Sequence, residues 1–307
     1  MRFDSEMKLN RIRLDLPEGY NYGLSIFSGW SQLVPFAIDA ENRALSRVQV
    51  LSSGKIVRAT TREGDGGAVT VDVECGFELD VEDLEEVRGV FEIILRLDDD
   101  FSPLYELLGG YPEFSWVEEA GAGRSIRCPT VFEDVVKTIC TTNASWGLTK
   151  GIVRRLCERL GERFSGELHA FPTPEALAST TEEILRAEVK SGYRSPFLLE
   201  LGRSVVDGDL DVESWRGSPL DSAALKKEML AVKGVGNYAA NNILHLLGRH
   251  DFLALDSWMR KRYAESHNEG EPASDGEIEG HYAPFGVWKG LVMNLDMSKE
   301  YILKRIK

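Results

Sequence analysis

The chain has 307 residues, with 36 Lys and Arg residues against 50 Asp and Glu residues, so its formal net charge is −14. The length predicts two domains, and the hydrophobic fraction of 43% and charged fraction of 28% are typical of an ordinary soluble protein and exclude a disordered, collagen-like or coiled-coil chain. No stretch approaches the ~20 apolar residues of a membrane span. Met1–Glu6 is too polar for a signal peptide, so we expect a cytoplasmic protein without a membrane partner.

The cysteines and histidines do not follow a metal-binding pattern. Four cysteines stand at positions 75, 128, 140 and 157, so no C-x-x-C pair is present, and we interpret them as small apolar side chains in a reducing compartment. His245 and His250 are the only histidines close together in the sequence, and a spacing of five does not place both on one face of a helix. The sequence therefore predicts no metal site.

Residues 1–125 predict an antiparallel sheet domain with a helix. Arg11–Leu16 alternates polar and apolar residues, as a half-buried strand does. Three more β-like runs are separated by glycine-containing turns, and they span 44–51, 55–61 and 68–74. This order predicts an antiparallel meander, and the pattern turns helical over Leu79–Arg96.

Residues 126–307 predict an all-α domain. Five apolar residues fall at i, i+3, i+4, i+7 and i+8 and mark one buried helix stripe, namely Phe132, Val135, Val136, Ile139 and Cys140. Further helices are predicted over 152–160, from 174, from 196, and over 222–230, 237–247 and 282–295, with an acidic loop at 264–280. The predicted fold class is therefore α+β, with the antiparallel sheet domain first and the helical domain second.

Two glycines lie between two of these helices, in Lys233-Gly234-Val235-Gly236. Glycine allows positive φ and the close approach of another backbone. The N–H groups of this turn and of the first helical residues after it lack partners within the helix, and together with the helix dipole they form a site suited to one phosphate. The alternative interpretation is a tight helix–helix turn without a ligand.

Asp256 follows Gly236 by 20 residues and comes directly after the apolar run Leu253–Leu255. It fits the N-cap of a helix, and it fits a catalytic carboxylate as well. The glycine hairpin together with this Asp resembles the helix-hairpin-helix DNA glycosylase superfamily. The resemblance implies that Lys233–Gly236 grips the DNA backbone and that Asp256 faces the flipped nucleotide.

Further segments are similar to the 8-oxoguanine and alkyladenine branches of this superfamily, and the N-terminal sheet is compatible with them. Val131–Asn143 looks like a first helix, and the resemblance implies that Asn143 occupies the space left by the everted base. Phe171–Ala178 matches a segment of the same branch, as do Tyr193 and Arg194, which the resemblance places against the DNA stack and the orphaned partner base. The alternatives are a helix C-cap for Asn143 and a core-covering loop aromatic for Tyr193.

Departures from the family pattern restrict the chemistry. Bifunctional members place a Lys two residues after the second hairpin glycine, where its amine forms a Schiff base and cuts the strand; this chain has Tyr238 there, and a phenol does not form that imine. An aromatic at this position is typical of the alkylated-base branch.

Residues by which the 8-oxoguanine enzymes recognise their substrate are also missing. The glutamine that reads 8-oxoguanine in those enzymes would fall near Lys289 and Gly290, and neither residue is an amide. The position of the basic residue that reads cytosine is occupied by Leu148. No Cys follows Cys157, so the C-terminal cysteine cluster of the endonuclease III and adenine-mismatch branches is absent.

The charge distribution is compatible with a DNA partner despite the acidic total. Residues 1–130 sum to −11 and residues 131–307 sum to −3, which together give −14. Phosphate binding favours Lys and Arg, but backbone N–H groups at a hairpin bind phosphate without adding charge. The sequence therefore allows a local DNA-binding face in the second half.

The resemblance implies a monofunctional DNA glycosylase of base excision repair that removes an alkylated purine, of 3-methyladenine or 7-methylguanine type, from damaged double-stranded DNA. Such a base is cationic and is best selected by stacking on electron-rich rings. The candidates for these rings are Tyr238, Trp258 and Trp288. The alternative interpretation for each of them is core packing. A glycosylase for oxidised or mismatched bases and a non-catalytic DNA-binding module are the other functions considered. We expect a monomer without a cofactor, apart from a monovalent cation at the hairpin.

Overall fold

The structure, a computed structural model, describes residues 7–306 and falls into two compact units. The first unit comprises Met1–Asp98 and Arg124–Glu213, and the second comprises Asp99–Gly123 and Ser214–Lys307. The predicted division between residues 125 and 126 follows the chain order, whereas each compact unit combines two separate segments of chain. Met1–Glu6, on which the expectation about a signal peptide rests, lies outside the described residues.

An antiparallel five-stranded sheet lies in the first unit. Its strands in chain order are β1 (Lys8–Asp15), β2 (Phe36–Asp39), β3 (Ala44–Val50), β4 (Ile56–Glu63) and β5 (Ala68–Cys75). The spatial order is β1-β5-β4-β3-β2, so β2 to β5 form the predicted meander, and β1 pairs with β5 with Ile12 opposite Val71. The sequence pattern does not predict β2, because four residues are too few to establish a period.

The helices are divided between the two units. In chain order they are α1 (Tyr22–Ile26), α2 (Val81–Leu95), α3 (Ser102–Leu108), α4 (Ser115–Glu119), α5 (Val131–Thr141), α6 (Trp146–Leu160), α7 (Pro174–Ala178), α8 (Glu182–Ala187), α9 (Ser195–Val206), α10 (Ser222–Leu230), α11 (Asn237–Leu246), α12 (Ser257–His267), α13 (Asp275–Tyr282) and α14 (Lys289–Ile306). The second unit contains α3, α4 and α10 to α14. Within the described residues, none of these helices has the length and hydropathy needed to span a membrane. An antiparallel sheet combined with many helices confirms the predicted α+β class.

The core of the first unit forms between one face of the sheet and α2. Alternation along β1 places Ile12 and Leu14 on the buried face. A capping box between Asp80 and Asp83 starts α2. Helical spacing then presents three fully buried side chains to the same apolar cluster, and they are Val87, Phe91 and Ile94. The half-buried strand and the amphipathic helix therefore bury their apolar faces against each other.

The predicted acidic loop at 264–280 is wrong in part, because it contains the end of α12 and most of α13. Ser274 and Glu277 form a capping box that starts α13, and two hydrogen bonds to the Glu277 carboxylate and one from its N–H hold it. The acidic residues of α12 and α13 therefore lie on exposed helix faces, and the acidic composition of the segment does not distinguish such faces from a loop.

Two other boundaries differ from the prediction. A hairpin of β6 (Arg163–Ser165) and β7 (Leu168–His169) interrupts the region predicted to be all-α, with Gly166 in its turn at φ +54°. The last helix begins at Lys289, after a kinked turn, rather than at residue 282. Both features depend on single glycines, because Gly286 also has positive φ, at +54°.

The four cysteines lie in the first unit, where all are free and buried, as predicted. Burial raises the pKa of Cys140 and of Cys157 to about 12, so both thiols stay neutral and unreactive. These side chains therefore act as small apolar groups in the packing of α5 and α6.

A buried ion cluster joins the sheet of the first unit to α5. Glu133 on α5 accepts two hydrogen bonds from Arg47 on β3, at 3.0 and 2.6 Å, and lies 2.7 Å from Lys137. Burial on its own raises the pKa of Glu133, but the charges of Arg47 and Lys137 outweigh it and lower that pKa to about 2. The carboxylate therefore stays ionised and neutralises part of the positive charge that surrounds it.

Replacing Glu133 by Gln leaves two buried cations without their anion. We expect the Glu133→Gln variant to lose about 3–5 kcal/mol of unfolding free energy, measured by urea denaturation, because an uncompensated buried charge is costly. The matched control is Glu158→Gln, which breaks the exposed pair of Glu158 with Arg154 on α6 and costs less than about 1 kcal/mol. Equal losses of unfolding free energy in the two variants would contradict the greater cost expected when the anion of a buried ion cluster is removed.

Candidate active site

The glycine hairpin lies in the second unit, between α10 and α11. The N–H of Val235 donates to the carbonyl of Val232 at 3.0 Å, which closes the turn. Gly234 has φ +88°, in the left-handed region that favours glycine, and the Val235 side chain is buried. Gly236 then begins α11 in extended conformation. The predicted tight turn between two helices is therefore present.

The hairpin presents backbone rather than side chain to the solvent. Lys233 and Gly236 are exposed, and a Cβ placed on Gly236 meets nothing within 4 Å. No side chain caps the start of α11, so the N–H groups of its first turn lack partners within the helix. The positive end of this helix dipole is suited to an anion.

Asp256 is the N-cap of α12. Its carboxylate accepts the N–H of Met259 at 2.7 Å, and its backbone is extended, as at most N-caps. The residue is half-buried. The cap fixes the rotamer of the side chain, so one carboxylate oxygen is held by the helix while the other remains available for a second interaction.

Tyr238 on α11 lies near this carboxylate. Burial and the negative charge of Asp256 raise the pKa of Tyr238. The phenol therefore keeps its proton beside the carboxylate. The structure thus brings together two residues that lie 18 positions apart in the sequence.

Arg260 adds a cation on this side of α12, one turn after Asp256. It forms a double ion pair with Asp275 of α13, at 2.7 and 3.0 Å, and donates to the carbonyl of Leu255 at 3.3 Å. The hydrogen bond that Arg260 donates to Asp275 is the largest cause that raises the pKa of Arg260, and the charge of Asp256 contributes too. The sequence signal was the basic run 260–262, but the partner on α13 lay in the segment predicted to be a loop.

The two tryptophans of the predicted base pocket have ring partners other than Tyr238. Trp258 is 39% exposed and lies 6.2 Å from the ring of Tyr301 on α14. Trp288 stacks on His250 at 5.4 Å, with an interplanar angle of 21°, and lies 5.9 Å from Phe101. Trp258 is thus the more accessible of the two, whereas Trp288 belongs to an aromatic cluster.

Asn143, Tyr193 and Arg194 are brought together in the first unit. Asn143 follows the C-cap Thr142 of α5 with φ +45°, so it ends the helix in the left-handed region. Its amide lies 3.4 Å from the phenol of Tyr193, and that phenol donates to the carbonyl of Thr142 at 3.1 Å. Both side chains are exposed. Asn143 therefore ends α5 and is also exposed at the surface.

Arg194 differs from the position that the resemblance implies. It is 3% exposed, its guanidinium donates to the carbonyls of Thr142 and Ser191, and its carbon lies 4.5 Å from the centre of the Tyr193 ring. A buried guanidinium held by carbonyl oxygens does not reach an orphaned base. In this structure Arg194 therefore supports the exposed Tyr193 rather than contacting DNA itself.

Comparison with known proteins places two DNA repair enzymes near this chain, although no family model matches it. A protein of Methanocaldococcus jannaschii that is named a DNA repair glycosylase is 25% identical over 173 residues, which are 56% of this chain and 73% of that protein. DNA-3-methyladenine glycosylase 2 of Escherichia coli is 26% identical over 136 residues, which are 44% of this chain and only 43% of that enzyme.

Two solved structures share the fold. The 3-methyladenine DNA-glycosylase from Archaeoglobus fulgidus has a TM-score of 0.74 at 18% identity and matches 94% of this chain and 99% of its own. The 8-oxoguanine glycosylase/lyase from Clostridium acetobutylicum in its apo-form has a TM-score of 0.68 at 18% identity, over 95% and 97% of the two chains. The fold is therefore common to both glycosylase types, which confirms the resemblance seen in the sequence.

The two hairpin glycines provide a matched pair of substitutions. Gly234→Ala places a Cβ at φ +88° and should cost about 1–2 kcal/mol of unfolding free energy because of left-handed strain. Gly236→Ala has open space and negative φ, so it adds no backbone strain and should cost less than about 1 kcal/mol, which reflects the weaker N-cap that Ala makes at the start of α11. Urea denaturation of both variants is the measurement, and the reverse order of stabilities would contradict the described turn.

Proposed function

We propose that this chain, which is related in sequence and in fold to the helix-hairpin-helix DNA glycosylases, is a monofunctional DNA N-glycosylase that hydrolyses alkylated purines from damaged double-stranded DNA. The observation that carries the proposal is the Asp256 carboxylate, which the Met259 N–H holds in place, near Tyr238 and in the same unit as the glycine hairpin. It combines a fixed carboxylate, an aromatic in place of an amine, and an anion site within one unit.

Asp256 acts on the N-glycosidic bond. As that bond breaks, positive charge grows on the sugar, and a carboxylate held near C1′ stabilises this charge electrostatically. The Met259 N–H holds the carboxylate in one orientation before the base arrives, so little reorganisation is needed. The same carboxylate orients the attacking water or takes its proton.

Tyr238 directs the reaction towards hydrolysis. An amine at its position would attack C1′ and form an imine, which leads to strand cleavage, whereas a protonated phenol does neither. Burial and the Asp256 charge keep the phenol neutral. The ring also presents a π-face to the pocket, and a cationic methylated purine is stabilised by such a face. The names of the Escherichia coli and Archaeoglobus fulgidus enzymes favour the same substrate class.

The hairpin binds the DNA backbone next to the lesion. The N–H groups at Gly234 and Gly236 hold one phosphate, whereas the N–H of Val235, which the sequence also predicts as a donor, is engaged with the Val232 carbonyl. Lys233 adds charge at the rim. The target base leaves the stack at a cost of a few kcal/mol, which is lower when the base is damaged. On the first unit, the exposed Asn143 and Tyr193 are the candidates for the space that the base vacates. We propose that the enzyme acts as a monomer.

No cofactor takes part in the proposed hydrolysis. A monovalent cation at the hairpin is compatible with the turn, because the Val232 carbonyl accepts one N–H and a carbonyl oxygen has a second lone pair. Such a cation would hold the hairpin and the phosphate together, and the bond cleavage itself depends on Asp256.

A second candidate substrate is an oxidised base such as 8-oxoguanine, because an 8-oxoguanine glycosylase/lyase shares the fold. The position expected to carry the base-reading amide falls near Lys289 and Gly290, neither of which is an amide. At Gly290 a Cβ would overlap the carbonyl oxygen of Phe252 and the ring of His245. A glutamine therefore does not fit at this position. This steric restriction favours the alkylated purine.

The central test replaces Asp256 by Asn. Asn is an equally good N-cap, so α12 should remain intact, but the negative charge is removed. We expect base release from methylated duplex DNA to fall by more than about a hundredfold, with DNA affinity largely unchanged. Duplexes with 8-oxoguanine, uracil or hypoxanthine, tested in parallel, identify the substrate. The matched control is Asp221→Asn, which makes the same change at the N-cap of α10.

Full base release by Asp256→Asn would remove the assigned catalytic role. Release of another base by the wild type would keep the mechanism and replace the substrate. Binding to every duplex without release from any of them would favour a DNA-binding module.

The wild type should leave the abasic strand uncut. Because Tyr238 supplies no amine, we expect strand breaks only after alkali treatment, and no covalent protein–DNA adduct after borohydride reduction. Denaturing gels of the reaction products, with and without alkali, measure this directly, and a bifunctional glycosylase/lyase serves as positive control. A trapped adduct would show that another amine of the chain reaches C1′.

A further inference from the structure

Two histidines and an aspartate lie together in the second unit, away in sequence from the hairpin. They are His267 at the end of α12, His281 in the last turn of α13, and Asp296 on α14. One ligand atom of each lies within 4.8 Å of the ligand atoms of the other two. The sequence does not predict this cluster, because its members are 14 and 15 residues apart and form no motif.

Hydrogen bonds fix the carboxylate at the centre of this cluster. The phenol of Tyr282 donates to one oxygen of Asp296 at 2.7 Å, and Nε2 of His267 lies 2.8 Å from the same oxygen. Tyr282 is fully buried, so its phenol holds the Asp296 carboxylate from the interior of the protein. Both histidines are exposed, which leaves the cluster open to ions from solvent.

The two imidazoles are suited to act as ligands. The rings of His267 and His281 have centroids 4.6 Å apart, and each also contacts the ring of Tyr263. A neutral imidazole nitrogen and a carboxylate oxygen are the ligands that first-row transition metals accept.

We propose that His267, His281 and Asp296 bind one divalent transition-metal ion of the zinc class, with water at the remaining position. Ligand atoms around tetrahedral zinc lie about 3.3 Å apart, so the observed separations close with small side-chain rotations, and exposed histidines are free to make them. The hydrogen bond from Tyr282 supports the ligating carboxylate, as outer partners of metal ligands commonly do.

The ion would join three helices of the second unit. It would link the last residue of α12, the end of α13 and the middle of α14. Asp256 caps the other end of α12. Metal binding would therefore stabilise the helix that carries the proposed catalytic carboxylate, and this role does not depend on which base the enzyme removes.

The test uses the full chain after treatment with EDTA and dialysis. We expect Zn²⁺ to raise the midpoint of thermal unfolding in a concentration-dependent way, and Co²⁺ to give visible absorption bands from imidazole–carboxylate coordination. Mg²⁺ at the same concentration should do neither. The variants His267→Gln and His281→Gln should bind Zn²⁺ more than about tenfold more weakly.

The matched control is His169→Gln, which removes a histidine of the first unit whose Nδ1 lies 3.0 Å from a backbone carbonyl. It should retain the full Zn²⁺ response. His267→Gln keeps an amide that can donate to Asp296, and its unfolding midpoint in EDTA reports whether the fold is preserved. An equal Zn²⁺ response in wild type and both ligand variants, or no response in the wild type, would overturn the proposal and leave a hydrogen-bonded cluster.

Discussion

The hydrogen bond from the Met259 N–H to the Asp256 carboxylate holds the candidate active site together. An N-cap residue must sit just outside the first turn of its helix, with its side chain turned back over the N–H groups. This requirement fixes where Asp256 lies and how its carboxylate is oriented. Tyr238, on α11, lies near enough to this carboxylate for the Asp256 charge to raise the pKa of its phenol. A residue that stabilises a helix is thereby kept in a single conformation, which electrostatic catalysis also needs.

The distribution of the basic residues explains how an acidic chain fits a DNA partner. In the first unit, Arg47, Lys137 and Arg194 are buried and bind carboxylate or carbonyl oxygens, so they contribute little to the surface. Arg260 in the second unit is paired with Asp275. These four cations are therefore engaged within the protein, and the glycine hairpin offers backbone N–H groups as phosphate donors. These donors carry no net charge, and their strength comes from alignment with a helix dipole.

The parts of the fold that the sequence predicts are those with a local physical cause. The strands β3 to β5, helix α5 and the Gly234–Gly236 turn each follow from alternation, helical period or glycine conformation within a few residues. One exception is local as well, because the capping box of Ser274 and Glu277 that starts α13 stands inside an acidic segment with the composition of a loop. The other exception needs distant information, since β2 is defined by pairing with β3 rather than by its own pattern.

The same distinction applies to the site. Asp256 and the hairpin were predictable because cap and turn chemistry is local. The burial of Arg194 was not, because it depends on the carbonyl of Thr142, 52 residues earlier. The cluster of His267, His281 and Asp296 has no sequence signature either, since three helices must first pack to bring it together.

The two proposed sites of the second unit lie at opposite ends of α12, and this separation limits how they affect each other. The helix has 11 residues and is therefore about 16 Å long. At that distance a metal charge near His267 interacts weakly with Asp256 across a partly solvated path. Packing is the remaining route, because Trp258 and His267 both contact residues of α14, Tyr301 and Asp296. A metal ion near His267 would therefore affect the rigidity of α12 and the stability of the unit. The electrostatic environment of the glycosidic bond would still be determined by Asp256, Tyr238 and the first turn of α12.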